Sequence, residues 1–128
     1  MTISRIKIAA LLSISIIILN KAMAIETPKH TLVKKENGFE IRQYDSMIIA
    51  TTSVRSDYSD AASKGFRRIA SYIFGGNSAS MSIEMTAPVL TNAPDPKDIY
   101  EIQFVMPSEH SMEDLPQPNS QNVTLKKV

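Results

Sequence analysis

Two histidines, His30 and His110, and no cysteine make up the chain's whole supply of imidazole and thiol, which narrows the available chemistry at once. Thiolate metal sites, iron-sulfur clusters and cysteine nucleophiles all need a sulfur that is not there. A serine nucleophile elbow needs Gly-x-Ser-x-Gly, and the four glycines, Gly38, Gly65, Gly75 and Gly76, do not supply that spacing. Gly75-Gly76-Asn77 follows a helical pattern instead of opening one, so it reads as a helix stop and not as a phosphate cradle. Glu109-His110 and Glu113-Asp114 come nearest to a metal-ligand cluster, but in a polar, proline-bearing loop they read as solvated charge. His30, at the start of a strand, reads as a surface side chain. No base and nucleophile pair has a usable spacing, so the residues point to no catalytic site, no metal site and no enzyme.

What remains is apolar. Phe66, Ile69, Ile73 and Phe74 on one segment, with Met81, Met85, Val89 and Leu90 on the next, would give a polarisable lining able to hold a flat apolar ligand. Arg67 or Arg68 could meet carboxylates at its rim. The same side chains would equally well make a plain helix-on-sheet core, and the residue pattern leaves both readings open.

The elements that carry these residues follow from periodicity. Thr31 to Lys35 and Phe39 to Tyr44 flank Glu36-Asn37-Gly38, and Asn-Gly between two strand-like runs is a strong hairpin signal. Phe39, Ile41 and Gln43 alternate with Glu40, Arg42 and Tyr44, the period of a half-buried strand. Met47 to Val54 is rich in β-branched residues and predicts a third strand. The period then changes. Tyr58, Ala61, Ala62, Gly65, Phe66, Ile69, Ala70, Ile73 and Phe74 recur every three to four residues, which predicts one amphipathic helix capped by Ser56 or Asp57 and stopped at Gly75-Gly76. Met81 to Leu90 contains Pro88, so it must be an edge strand, a bulge or an extended loop. Ile99 to Met106 reads as a strand reached through a Pro94-Asp95-Pro96 turn, Ser108 to Asn122 as a loop with one helical turn at most, and Val123 to Val128 as the opening of another strand. The order β-β-β-α-β-β-loop-β predicts an α+β fold, an antiparallel sheet packed on one main helix.

A chain of 128 residues has room for one core, and with 43% hydrophobic and 21% charged residues it has the composition of a folded domain and not of a disordered one. The formal charge of +1 hides an asymmetry, since residues 1–24 hold Arg5, Lys7 and Lys21 and no acid. Setting those aside leaves 11 basic against 13 acidic residues, no excess with which to neutralise nucleic-acid phosphates. The same segment has a basic start, an apolar run from Ile8 to Leu19 and the small residues of Ala22-Met23-Ala24, the layout of a secretory signal peptide cleaved after Ala24. The run is short for a span needing roughly 20 residues. The expectation is therefore a periplasmic or secreted domain, residues 25–128, with no membrane anchor once the signal is removed.

Four strings then carry a specific likeness: Phe39-Glu40-Ile41-Arg42-Gln43-Tyr44, Gly65 through Asn77 (GFRRIASYIFGGN), Ile83-Glu84-Met85-Thr86-Ala87-Pro88-Val89, and Phe104-Val105-Met106-Pro107-Ser108. In order and spacing they resemble the SOUL haem-binding family, over about Pro28 to Val128. The resemblance implies a distorted antiparallel β-barrel built from two β-α-β halves, of which this chain matches the first, and non-covalent binding of haem or a related tetrapyrrole without enzymatic chemistry. It places ligand contacts in a shallow apolar cleft along the first helix, at the positions here of Ser63, Phe66, Ala70 and Ser71, with Arg67 adjacent. A relative has basic residues, able to meet haem propionates, where this chain has Ser63 and Ser71. In an animal member a histidine proposed as iron ligand stands where this chain has Gln43, which is no substitute for imidazole. Half a barrel would also leave sheet edges open to self-association. A truncated structural or self-associating module without ligand, and a general carrier of apolar small molecules, are the rival expectations.

Overall fold

The computed structural model describes residues 25–95 and 98–128, so the segment read as a signal peptide lies outside the described residues. The elements are β1 (His30–Glu36), β2 (Phe39–Tyr44), β3 (Ile48–Arg55), α1 (Tyr58–Ile73), β4 (Val89–Asp95), β5 (Ile99–Val105) and β6 (Thr124–Lys127). They form an α+β fold with two antiparallel sheets, a four-stranded one in the order β4-β5-β3-β6 and a separate β1-β2 hairpin. No closed barrel forms among the described residues.

Register decides which side chains meet the helix. Ala50 lies opposite Phe104 and Leu125, and Phe104 lies opposite Val89, so these four share one face. Thr52 and Ile102 extend that face by the two-residue period. The helix α1 packs on β3 and β5. Its row Ala61, Gly65, Ile69, Tyr72 and Ile73 is buried, and the core joins Ile69, Tyr72 and Ile73 to Ile83, Ile102, Phe104, Met106, Leu115 and Val123.

Both helix ends are closed by backbone chemistry legible in the sequence. At the start, Asp57 Oδ1 accepts from the Asp60 N–H at 2.9 Å, satisfying one of the orphan donors of the first turn. At the end, Gly75 adopts φ +110°, and the Gly76 N–H donates to Ser71 O at 2.8 Å, the six-to-one bond of a Schellman stop. A Cβ on Gly76 would lie 2.5 Å from Ser71 O, so the stop needs its second glycine for space as well.

The chain after α1 is stitched to the helix end. Asn77 is buried; its Nδ2 donates to Tyr72 O at 2.9 Å and Met81 O at 2.8 Å, while its Oδ1 accepts from the Ala79 and Met81 N–H groups at 3.2 and 3.0 Å. The segment from Met81 to Pro88 is irregular, and β4 follows as an edge strand paired only with β5, the place a proline-led segment can occupy. The loop before β6 folds back to this corner: Tyr72 donates its hydroxyl to Pro116 O at 2.7 Å, and Asn119 N–H donates to Gly76 O at 3.1 Å.

One expectation needs correction. The alternation of β2 predicts a strand buried on one face, yet every residue of β1 and β2 is exposed, Phe39 and Ile41 included. The hairpin stands off the four-stranded sheet, so its apolar face has no layer to pack on among the described residues. A bulge at Val33, between the Leu32 and Lys34 pairings, adds to its irregularity.

Candidate functional site

Because α1 turns once every 3.6 residues, Ser63, Phe66, Arg67, Ala70 and Ser71 fall at steps of three and four and share one stripe. The buried row faces the sheet, which puts this stripe outward: Ser63, Phe66, Arg67 and Ser71 are exposed and Ala70 is half-buried. Two shallow depressions meet there. One, of about 500 Å³, is bounded by Ala62, Ser63, Phe66 and Arg67. The other, of about 430 Å³, lies between Arg67, Ser71 and Tyr72 of the helix and Pro118, Asn119, Ser120 and Val123 of the loop. Arg67 borders both, so the two make one groove along the helix and over its C-terminal end.

The groove offers one flat apolar surface and one exposed cation. Phe66 is 42% exposed although its ring centroid lies 5.4 Å from that of the buried Phe104, so it is held from beneath and open above. Arg67 donates Nε–H to Ser63 O at 3.3 Å along its own helix and has no carboxylate partner among the described residues. Arg68 is different. Its Nη1 donates to Thr52 Oγ1 at 3.3 Å and Ser53 O at 3.1 Å, which ties it to the sheet and leaves Arg67 as the guanidinium free to meet an anion.

The broader apolar cleft expected between α1 and Met81 to Leu90 is not what the structure builds. Ile69 and Ile73 are fully buried with Ile83, and Met81 and Met85 pack against that core, so these side chains fill the space between the two segments and line no groove. The reason lies in the backbone: Phe74 pairs with Ser82 and the Ile83 N–H donates to Ile73 O at 2.7 Å, which draws the segment against the end of the helix and presses Ile83 into the core. Phe66, Phe74, Val89 and Leu90 remain partly exposed, and of these only Phe66 borders the groove.

Sequence reasoning missed the far wall. Pro118, Asn119 and Ser120 belong to the stretch read as a polar loop and Val123 to the strand expected after it, and the only hint was the apolar Leu115 and Val123, both buried. Tyr72, which forms the floor, was absent from the predicted apolar stripe. Burial raises its phenol pKa above the ordinary value, and its hydroxyl is committed to Pro116 O.

A tetrapyrrole makes three demands: a flat apolar support, a cation for its propionates and, for haem, ligands to iron. The groove meets the first with Phe66 and the second with Arg67. No histidine, methionine or cysteine lines it, so iron ligation is not supplied from its walls. Nor does the hairpin supply it. Gln43 pairs with Thr31 and is exposed, while His30 pairs with Tyr44, their rings 5.2 Å apart, and therefore points to the other face of the hairpin.

Comparison with known proteins gives a single, consistent answer. The family model described as SOUL heme-binding protein matches residues 25–128. Heme-binding protein 2 of Homo sapiens is 33% identical over 115 residues, covering 82% of this chain and 56% of that protein. Heme-binding protein 2 of Mus musculus is 32% identical over 95 residues, covering 70% of this chain and 46% of its own length. The chain thus spans about half the length of the curated relatives it matches. With the four sequence strings, the α+β architecture and a family match across all the described residues, the chain belongs to the SOUL heme-binding protein family.

Proposed function

We propose that this chain is an exported, non-enzymatic binder of haem or a related tetrapyrrole, with the macrocycle lying on Phe66 in the groove of α1. Arg67 meets a propionate, and Ser63 and Ser71 border the ring edge above the Tyr72 floor, with the half-buried Ala70 between them on the helix. The observation that carries the reading is Phe66: a large aromatic side chain in a family of haem binders, exposed beside an unpaired arginine and propped by a buried ring. Export and the cleavage after Ala24 rest on the charge and hydropathy pattern of residues 1–24. Since no wall of the groove carries a good iron ligand, affinity comes from the ring plane and propionates. Hemin and iron-free protoporphyrin should then bind with similar affinity, each near one equivalent, read by the Soret shift or by quenching. A Phe66→Asp variant that binds hemin as well as the parent overturns the placement, and a parent protein with no saturable response overturns the function.

A second reading, a self-associating module without ligand, draws on a separate observation. The hairpin exposes Leu32, Val33, Phe39 and Ile41, and β4 and β6 are both edge strands. Sedimentation of residues 25–128 separates the two: a stable dimer indifferent to hemin favours this reading. Displacement of hemin by an unrelated apolar dye at equal concentration would instead mark a general carrier.

A further inference from the structure

Away from the groove, a cleft of about 480 Å³ lies between the segment before β1, the β2-β3 link, the end of β5 and the loop that follows it. It shares no residue with the groove of α1. Of the five described methionines, Met47, Met106 and Met112 line this cleft, and Met81 and Met85 do not. His110 lines it too, with only 18% of its side chain exposed. The imidazole is held from outside the cleft: its Nδ1 lies 3.2 Å from Asp114 Oδ1, and Asp114 is itself fixed by the Ser111 N–H at 3.1 Å and by its own N–H to Ser111 Oγ at 3.2 Å. A carboxylate accepting from Nδ1–H puts the imidazole lone pair on Nε2, the arrangement that orients metal-binding histidines. Glu109 Oε1 stands 3.6 Å from Nε2, beyond hydrogen-bonding distance, on a side chain 71% exposed and free to swing away.

We propose that this cleft binds a soft monovalent cation, Cu(I) or its redox-silent counterpart Ag(I), through His110 Nε2 and the thioethers of Met47 and Met112, with the buried Met106 as its floor. Thioether sulfur and neutral imidazole are soft or borderline donors that favour Cu(I), and they are poor ligands for calcium or magnesium, which require oxygen. Three carboxylates, Glu26, Asp45 and Glu113, also line the cleft, but their hard oxygens are poor partners for Cu(I), and Glu26 Oε1 already accepts from the Ser108 N–H at 2.9 Å. A zinc site is disfavoured, since among the described residues no three His, Asp or Glu side chains come together as ligands.

The test is anaerobic titration of residues 25–128 with Cu(I) buffered by a chromophoric chelator, and with Ag(I) followed by amide and methionine methyl NMR. One equivalent should bind, with shifts at His110 and at the Met47 and Met112 methyls. His110→Ala and the near-isosteric Met112→Leu should each weaken binding at least about tenfold, and Asp114→Asn about ten- to a hundredfold through loss of imidazole orientation. Met85→Leu, outside the cleft, should leave it unchanged. A parent that fails to compete with the chelator, a His110→Ala variant of normal affinity and native circular dichroism, or Zn(II) bound as tightly as Cu(I) would each overturn the proposal. The hemin response should be the same in His110→Ala as in the parent, so failure here and failure of the groove reading are told apart.

Discussion

Replacing Gly65 by alanine tests the contact that sets the height of α1 above the sheet. A Cβ at this position would lie 2.1 Å from Ile102 Cγ1, 2.6 Å from its Cβ and 3.2 Å from its Cγ2. Carbon atoms rest at about 3.5–4.0 Å, so the helix or the strand must give by roughly 1.5 Å. Ile102 has no route of escape, being 1% exposed on β5 between β3 and β4, and a clash with its Cβ cannot be relieved by a rotamer change. Alanine gains about 1 kcal/mol of helix propensity over glycine, whereas overpacking a full core costs about 1–3 kcal/mol and sometimes more. The upper end of that cost applies here, which leaves a net loss of about 1–2 kcal/mol. For a domain of this size the midpoint should fall by about 4–8 °C per kcal/mol, readable by circular dichroism and urea titration. Ile102→Ala alone should cost about 2–5 kcal/mol, and the double variant should be more stable than additivity predicts by about 1 kcal/mol, since the alanine at 65 enters the vacated space. A Gly65→Ala protein as stable as its parent, or a double variant that is strictly additive, would refute the idea that close approach and not backbone freedom is what this glycine provides. The same variant should weaken hemin binding, because lifting α1 parts Phe66 from Phe104.

Other positions give sharp expectations. Asn77→Ala removes a side chain that serves four backbone groups at the helix end, so the loss should be about 2–4 kcal/mol by urea unfolding, with early hydrogen exchange at Met81. Tyr72→Phe should cost about 1 kcal/mol through the bond to Pro116 O. Because burial raises the Tyr72 pKa in the folded state, its stabilisation is complete below the ordinary tyrosine value of about 10 and is lost as pH rises from there through the folded value. The parent should therefore lose stability in alkali more steeply than Tyr72→Phe, in paired unfolding curves. Arg67→Ala should weaken hemin binding with little change in stability. Arg68→Ala should do the reverse, because its guanidinium bonds Thr52 and Ser53.

Much of the fold was legible because it rests on local rules. The Asn37-Gly38 turn, the Asp57 cap, the Gly75-Gly76 stop and the period change at Tyr58 each depend on neighbours in sequence, and all four lie where the pattern placed them. The positions Ser63, Phe66, Arg67, Ala70 and Ser71 were singled out by the family likeness alone, since periodicity put Phe66 and Ala70 on the apolar face, whereas Phe66 is exposed and Ala70 half-buried. Less was legible where burial depends on distant segments. Ile69, Ile73, Met81 and Met85 had the composition of a ligand lining and turned out to be core or packed against it. Phe39 and Ile41 had the period of a half-buried strand and lie in the open.

The sequence by itself determined the element types, their order, the α+β class and family membership, since caps, turns, periods and motif strings are properties of adjacent residues. Tertiary structure decided where empty space lies. Gly65 lets the helix descend on Ile102 and so closes the gap beneath, and the Pro118–Val123 wall meets Arg67 only because Asn77 and Tyr72 fold the loop back. Met47, far along the chain from Met106, His110 and Met112, comes to line one cleft with them. Cavities are what packing leaves over, and packing is a sum over long-range contacts that no local pattern encodes.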